Sequence, residues 1–193
     1  MWVRRAAIRP VPPYAELPAR ALSEVEDQLS EDDDAARARL DEAFGRFEET
    51  QPVLANRISA ALGRPLDETA LALGYFLTLA VWLAFDAAFK GDIEQVGETA
   101  LTSVEESLQF DEQIRKADPA EALDSDDVIA MEQPHVLAFL HEHIDAALEA
   151  NANEVDVDDV HSIYRLVLIE VLALSYAVKA PPLWTAPSAE FTA

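Results

Sequence analysis

The sequence predicts an all-α protein, a single-domain bundle of six to seven helices with two long, nearly fully apolar central helices. Its 193 residues suit one domain with a full core, and it contains no cysteine. Good helix formers such as alanine, leucine and glutamate are abundant, whereas glycine occurs only five times. Runs of alternating polarity rich in Val, Ile and Thr are missing, so no strand is predicted.

The predicted organisation has three parts. A basic, proline-rich N-terminal arm occupies residues 1–17, the helical bundle occupies 18–180, and a proline-rich C-terminal tail occupies 181–193. No internal repeat is predicted.

Helix boundaries are indicated by proline in a first turn, by Ser or Asp at an N-cap and by glycine after a last turn. Ser30, Asp67 and Asp92 are the predicted N-caps of three of the helices. The predicted helices are 18–29, 31–50, 52–63, 68–90, 93–117, a short acidic stretch after Pro119, 134–150 and 157–179.

Two of these helices are apolar enough to raise the question of a membrane. A span needs about 20 mostly apolar residues, and the uncharged run 69–85 is followed at once by Asp86. The last helix contains Arg165 and Glu170, and neither helix has the cationic flank that orients spans. The pattern therefore favours two buried helices at the centre of a soluble, cytoplasmic protein without membrane contact.

Glu170 is the first candidate site residue because its helical neighbours form an unbroken apolar face. These neighbours are Ile163, Leu166, Val167, Ala173, Leu174 and Ala177. A carboxylate buried there must be protonated, paired or holding a cation. A structural hydrogen bond is the favoured interpretation, and a ligand role is the alternative.

Asp86 is the second candidate, at the end of a stripe formed by Tyr75, Thr78 and Trp82. Spacings of three and four residues place their polar groups on one side of the helix. The stripe could line a cavity. The favoured alternative pairs Asp86 with Lys90 and satisfies the stripe through neighbouring helices.

An internal metal or small-ligand site is the alternative function. It would be built from Glu170, Asp86, His141 and His161. No catalytic residue and no cofactor is predicted, since the chain lacks glycine-rich phosphate loops, nucleophile elbows and zinc-protease motifs.

The charge distribution indicates what the protein binds. The net charge is -23, and residues 91–160 hold twenty acidic residues against Arg115 and Lys116, which gives -18. Such a surface repels nucleic acid and anionic lipid and favours a basic protein partner. The predicted function is therefore non-enzymatic binding of that partner, as an inhibitor, immunity-type protein, antitoxin or adaptor. A high-salt habitat or simple solubility is the competing explanation of the acidity.

The two termini carry aromatic residues within proline-rich segments. Trp2 lies in the arm, and Trp184 and Phe191 lie in the tail. Extended prolyl segments lose little entropy on docking, and aromatic side chains anchor them. The favoured interpretation packs both segments on their own bundle. The alternative makes them straps for a partner or for a second subunit of a homo-oligomer.

Overall fold

A computed structural model describes residues 7–29, 34–117, 129–130, 132–151 and 155–184. These residues form an all-α, single-domain bundle, which confirms the predicted fold class. Within the described ranges the extended pairing is confined to one isolated bridge between Ile93 and Val178. The helices with described bounds are α1 (Ala19–Leu29), α2 (Asp34–Thr50), α3 (Pro52–Leu62), α4 (Glu68–Phe89), α5 (Glu98–Ala117), α6 (Pro134–Ala150) and α7 (Val157–Ala177).

The apolar helices α4 and α7 lie at the centre of the bundle and make its most extensive helix–helix contact. They run parallel, because both their first turns and their last turns are joined. The Asp67 amide donates to the Asp159 carboxylate at 2.9 Å, and the Lys179 amide donates to the Asp92 carbonyl at 2.7 Å. Between these ends the helices approach closely, since a Cβ on Gly74 would lie 2.8 Å from the Ile163 Cδ1 atom.

Both central helices are long and apolar enough to cross a membrane by length and composition. In the bundle, the rest of the chain buries 61% of the most apolar 18-residue stretch of α4 and 72% of the most apolar 18-residue stretch of α7. Packing within the bundle therefore accounts for their apolar surfaces, as in the core helices of soluble proteins. The cytoplasmic location and the absence of a membrane stay predictions.

Two buried glutamines hold extended segments against the bundle. Gln51 accepts a hydrogen bond from the Val96 amide at 2.8 Å and donates to the Glu94 carbonyl at 3.1 Å. Gln133 accepts from the Leu17 amide at 2.8 Å and donates to the carbonyl of residue 15 at 2.7 Å. Each glutamine precedes a proline that opens a helix, α3 or α6. We call these two arrangements the glutamine clamps.

The clamps reveal an internal repeat that the sequence analysis did not predict. In the first half an extended segment leads into α1, and a Gln-Pro pair later opens the shorter α3, which precedes the long apolar α4. In the second half an extended segment leads into α5, and a Gln-Pro pair later opens the shorter α6, which precedes the long apolar α7. The clamp of each half holds the extended segment of the other half. The chain therefore folds as two related halves about an approximate twofold axis between α4 and α7.

The central helices retain a sequence signature of this relation. When residues 67–90 are placed on 156–179, an offset of 89, eight of the 24 pairs are identical. The pairs are Asp67/Asp156, Tyr75/Tyr164, Leu77/Leu166, Leu79/Leu168, Leu83/Leu172, Ala84/Ala173, Ala88/Ala177 and Lys90/Lys179. Asp67 and Asp156 both cap their helices, so the match is structural as well as chemical.

One predicted helix boundary is wrong. Helix α5 begins at Glu98 and not at residue 93, and Asp92 is not its cap. Residues 94 and 96 give their backbone groups to Gln51, a tertiary interaction that replaces the first helical turn suggested by the local pattern. The predicted cap at Ser30 and most of the short acidic stretch after Pro119 lie outside the described residues.

We predict that Gln133→Leu lowers the free energy of unfolding by about 3 kcal/mol. The substitution removes the clamp and also the bond from Gln133 to the Ser175 hydroxyl at 2.9 Å, and each buried polar group left unpaired costs about 1–3 kcal/mol. Urea unfolding followed by circular dichroism measures the change. The exposed Gln28→Leu on α1 is the matched control, with an expected effect within about 0.5 kcal/mol. Equal stabilities of the two variants would contradict a stabilising clamp.

Candidate functional site

Glu170 is completely buried, as its apolar neighbours on α7 predict. It lies two turns after Ile163 on the side of α7 that faces α4. Neither carboxylate oxygen has a hydrogen-bond partner among the described residues. The favoured interpretation, a structural hydrogen bond, therefore finds no support in this part of the chain.

Burial controls the chemistry of this carboxyl group. Desolvation raises the pKa of Glu170 well above its ordinary value of 4.5. The group therefore keeps its proton at pH values where exposed glutamates are ionised. In the repeat, Glu170 corresponds to Val81 (170 minus 89), an apolar residue that is also fully buried. The carboxyl group is thus a polar substitution at the interface between the halves.

Asp86 forms an ion pair with Arg46 of α2 and not with Lys90. The Arg46 guanidinium also lies 5.3 Å from the centre of the Trp82 ring. The predicted i,i+4 pair is therefore replaced by a contact between helices. A partner forty residues away in sequence leaves no local signal that could identify it.

The aromatic members of the stripe of Tyr75, Thr78 and Trp82 pack against α2. Tyr75 stacks on Phe44 with ring centres 5.9 Å apart, and Trp82 packs on Phe47 at 5.3 Å. The Thr78 hydroxyl donates to the carbonyl of residue 74 at 2.7 Å within its own helix. Burial and the nearby carboxylates of α2 raise the pKa of the Tyr75 hydroxyl. The stripe forms the contact between α4 and α2.

The two candidate histidines do not join the carboxylates. His141 is hydrogen-bonded through Nε2 to the Tyr164 hydroxyl at 2.8 Å, which links α6 to α7. His161 is exposed, nine residues before Glu170 on α7. The described residues contain no group of three or more His, Asp or Glu side chains that could hold a metal ion. In this part of the chain the four proposed ligands lie in separate surroundings.

The described part of the arm packs on the bundle, and the described part of the tail is exposed and contacts the arm through Trp184. The arm places Ile8, Val11 and Leu17 in the core, and the Arg9 guanidinium lies 4.1 Å from the centre of the Tyr176 ring. The tail contributes Trp184, which is 38% exposed and meets Tyr14 of the arm edge to face at 5.0 Å. Trp2 and Phe191 lie outside the described residues.

The clearest candidate binding surface lies where α4 begins, and we call it the acidic groove. It has a volume of about 600 Å³ between the start of α4 and the end of α6. Its lining consists of Asp67, Glu68, Thr69, Ala72, Leu73, Phe76, Ala147 and Asn151. From the sequence, Asp67 is predicted only as a helix cap. The groove beside it forms where α4 contacts α6, and a local pattern does not predict that contact.

Helix capping gathers further acidic residues beside this groove. Asp67 accepts hydrogen bonds from the Ala70 amide at 2.9 Å and from the Asp156 amide at 3.2 Å. Asp156 caps α7, whose first turn adds Asp158 and Asp159. Since α4 and α7 are parallel, their positive N-terminal ends lie together and stabilise this group of carboxylates.

Comparison of the chain with protein-family models, with curated proteins and with solved structures finds no match.

We predict that Glu170→Leu raises the free energy of unfolding at neutral pH by about 1–4 kcal/mol, because it replaces a buried ionisable group by an apolar one of similar size. The gain must depend on pH. The folded pKa lies above the unfolded value, so the native chain loses stability as the pH rises from about 4.5 toward the folded pKa. Urea unfolding of both proteins across this range measures the difference.

Glu170→Gln is the control for this prediction, since it keeps the shape and hydrogen-bonding capacity of the side chain but removes the titration. It is expected to lose the same pH-dependent component. A Glu170→Leu protein less stable than the native chain at neutral pH would show that the carboxyl group has a stabilising partner.

Proposed function

We propose that this chain is a non-enzymatic binding protein whose acidic surface binds a basic protein partner, in the manner of an inhibitor, immunity-type protein, antitoxin or adaptor. The acidic groove is the binding surface. The observation that supports the proposal is the combination of carboxylates and apolar side chains in the lining of this groove.

The lining of the groove suits an arginine or lysine side chain of the partner. Asp67 and Glu68 can receive its charged end, while Leu73 and Phe76 can contact its aliphatic stem. Basic side chains bind in this divided way because their methylene groups are apolar and their ends are charged. Among the described residues, the lining includes no basic side chain that would compete for the carboxylates.

The wider charge distribution supports association with a basic partner. The whole chain carries -23, and complementary charge increases association rates and suppresses wrong partners. Val157, which follows the capping Asp156, is 63% exposed and offers an apolar contact beside the acidic helix ends. Affinity then depends on a few buried contacts, and the surrounding charge supplies selectivity.

We expect Glu68→Lys and Ala72→Trp each to weaken partner binding by about tenfold or more. The first variant places like charges opposite each other, and the second fills the floor of the groove. Affinity-tagged full-length protein, purified from the native host at low salt, captures the partner. Calorimetry then measures the Kd of the captured partner for the native chain and for each variant.

The matched controls are Glu49→Lys, an exposed residue of α2, and Ala87→Trp, an exposed residue of α4 outside the groove. Both should bind like the native chain. The captured partner should be basic, and its binding should weaken as salt rises, because exposed charges are screened over about 10 Å at 0.1 M salt. Capture of a neutral or acidic partner would refute the proposal. So would a partner that Glu68→Lys and Ala72→Trp bind as tightly as the native chain does.

A further inference from the structure

A second groove, which we call the arginine groove, lies between α3, α5 and α7 and has a volume of about 310 Å³. Arg57, Arg64 and Arg165 line it together. Three of the eleven arginines of a chain with a net charge of -23 thus meet at one place. We propose that the arginine groove binds the phosphate group of a small phosphomonoester.

The internal repeat provides a comparison for one of these arginines, Arg165. The arginine groove and the acidic groove share two equivalent lining positions on the central helices, and each also borders α3 or α6. With the offset of 89, Ser162 and Arg165 correspond to Leu73 and Phe76. The first half carries apolar side chains at these two positions, whereas the second half carries Ser162 and Arg165, of which Arg165 pairs with Glu112 and lines the arginine groove.

The hydrogen-bonding capacity of the three arginines exceeds the contacts that they make. Arg57 Nη1 lies 3.0 Å from a Glu105 oxygen, and Arg165 Nε donates to Glu112 at 2.8 Å. Arg64 Nε donates to the carbonyl of residue 61 at 3.4 Å, and no ion pair of Arg64 occurs among the described residues. Since each guanidinium carries five N–H donors, most of them remain available to a ligand.

These contacts favour a doubly charged ligand over a carboxylate. Glu98 and Glu105 already supply carboxylates to Arg57, at 3.8 and 3.0 Å, and Glu112 supplies one to Arg165. A monocarboxylate ligand would therefore only exchange one carboxylate for another. A phosphate dianion brings more charge and three oxygens, which arginine side chains bind in pairs.

The local surroundings strengthen this interaction. The Arg57 and Arg165 side chains are 39% and 34% exposed, so they are partly shielded from water. Glu98, Glu105 and Glu112 lie against Arg57 and Arg165, and the phosphate takes their place on the guanidinium groups. Carboxylates farther away are screened, because physiological salt screens charges beyond about 8 Å. Leu166 and Ile169 also line the groove and provide an apolar contact for the ester group. The site is independent of the proposed basic partner.

Calorimetric titration of the full-length protein tests the proposal with phenyl phosphate, inorganic phosphate and benzoate at constant ionic strength. We expect saturable binding of phenyl phosphate, weaker binding of inorganic phosphate and no saturable binding of benzoate. The affinity should rise as the pH passes about 6, where the phosphate dianion forms.

Variants locate the site. Arg64→Gln and Arg165→Gln should each weaken phenyl phosphate binding by about tenfold, as expected for the loss of a charge-assisted hydrogen bond. Arg20→Gln on α1 is the control and should bind like the native chain. Arg64 is exposed and forms no ion pair within the described residues, so its replacement preserves the fold, which circular dichroism verifies. Absence of saturable phosphate binding, benzoate binding of equal strength, or full affinity in Arg64→Gln would overturn the proposal.

Discussion

The parallel packing of α4 and α7 is the constraint on which the rest of the structure depends. Both helices are apolar around most of their circumference, so each must be covered on every side. Parallel neighbours cannot be joined by a short turn, because the chain has to return to the starting end of the bundle. The intervening α5 and α6 make that return and at the same time cover the two central helices.

Parallel packing also explains why the halves hold each other. A twofold axis along two parallel helices places the extended segment of one half beside the Gln-Pro turn of the other, and the glutamine clamps form there. Buried backbone groups need partners, and these side chains supply them at the positions where helix hydrogen bonding is interrupted. Glu170 breaks the relation, since it places a carboxyl group where Val81 satisfies the same interface without cost in desolvation.

Local sequence patterns predict the helices and the burial of Glu170, but they do not predict the contacts between helices. The cap at Asp67 and the breaker at Gly63 act within one turn, so the bounds of α3 and α4 follow from the sequence. The pairing of Asp86 with Arg46 joins separate helices and has no local pattern. The repeat was missed because most of its identical pairs are leucine and alanine, which any apolar helix contains. Both grooves were missed because their walls come from separate helices.

The two halves agree in their core and differ at their grooves, and this contrast bears on function. Leu77/Leu166, Leu79/Leu168 and Ala84/Ala173 are identical pairs that are all buried, as packing between related helices requires. At the groove position, Phe76 is matched by Arg165 across the same axis. Packing alone would favour similar residues at equivalent positions. Arg165 instead joins α7 to α5 through its ion pair with Glu112 and also lines the arginine groove. A cationic ligand for the first half and an anionic one for the second would satisfy the opposite charges of the two grooves.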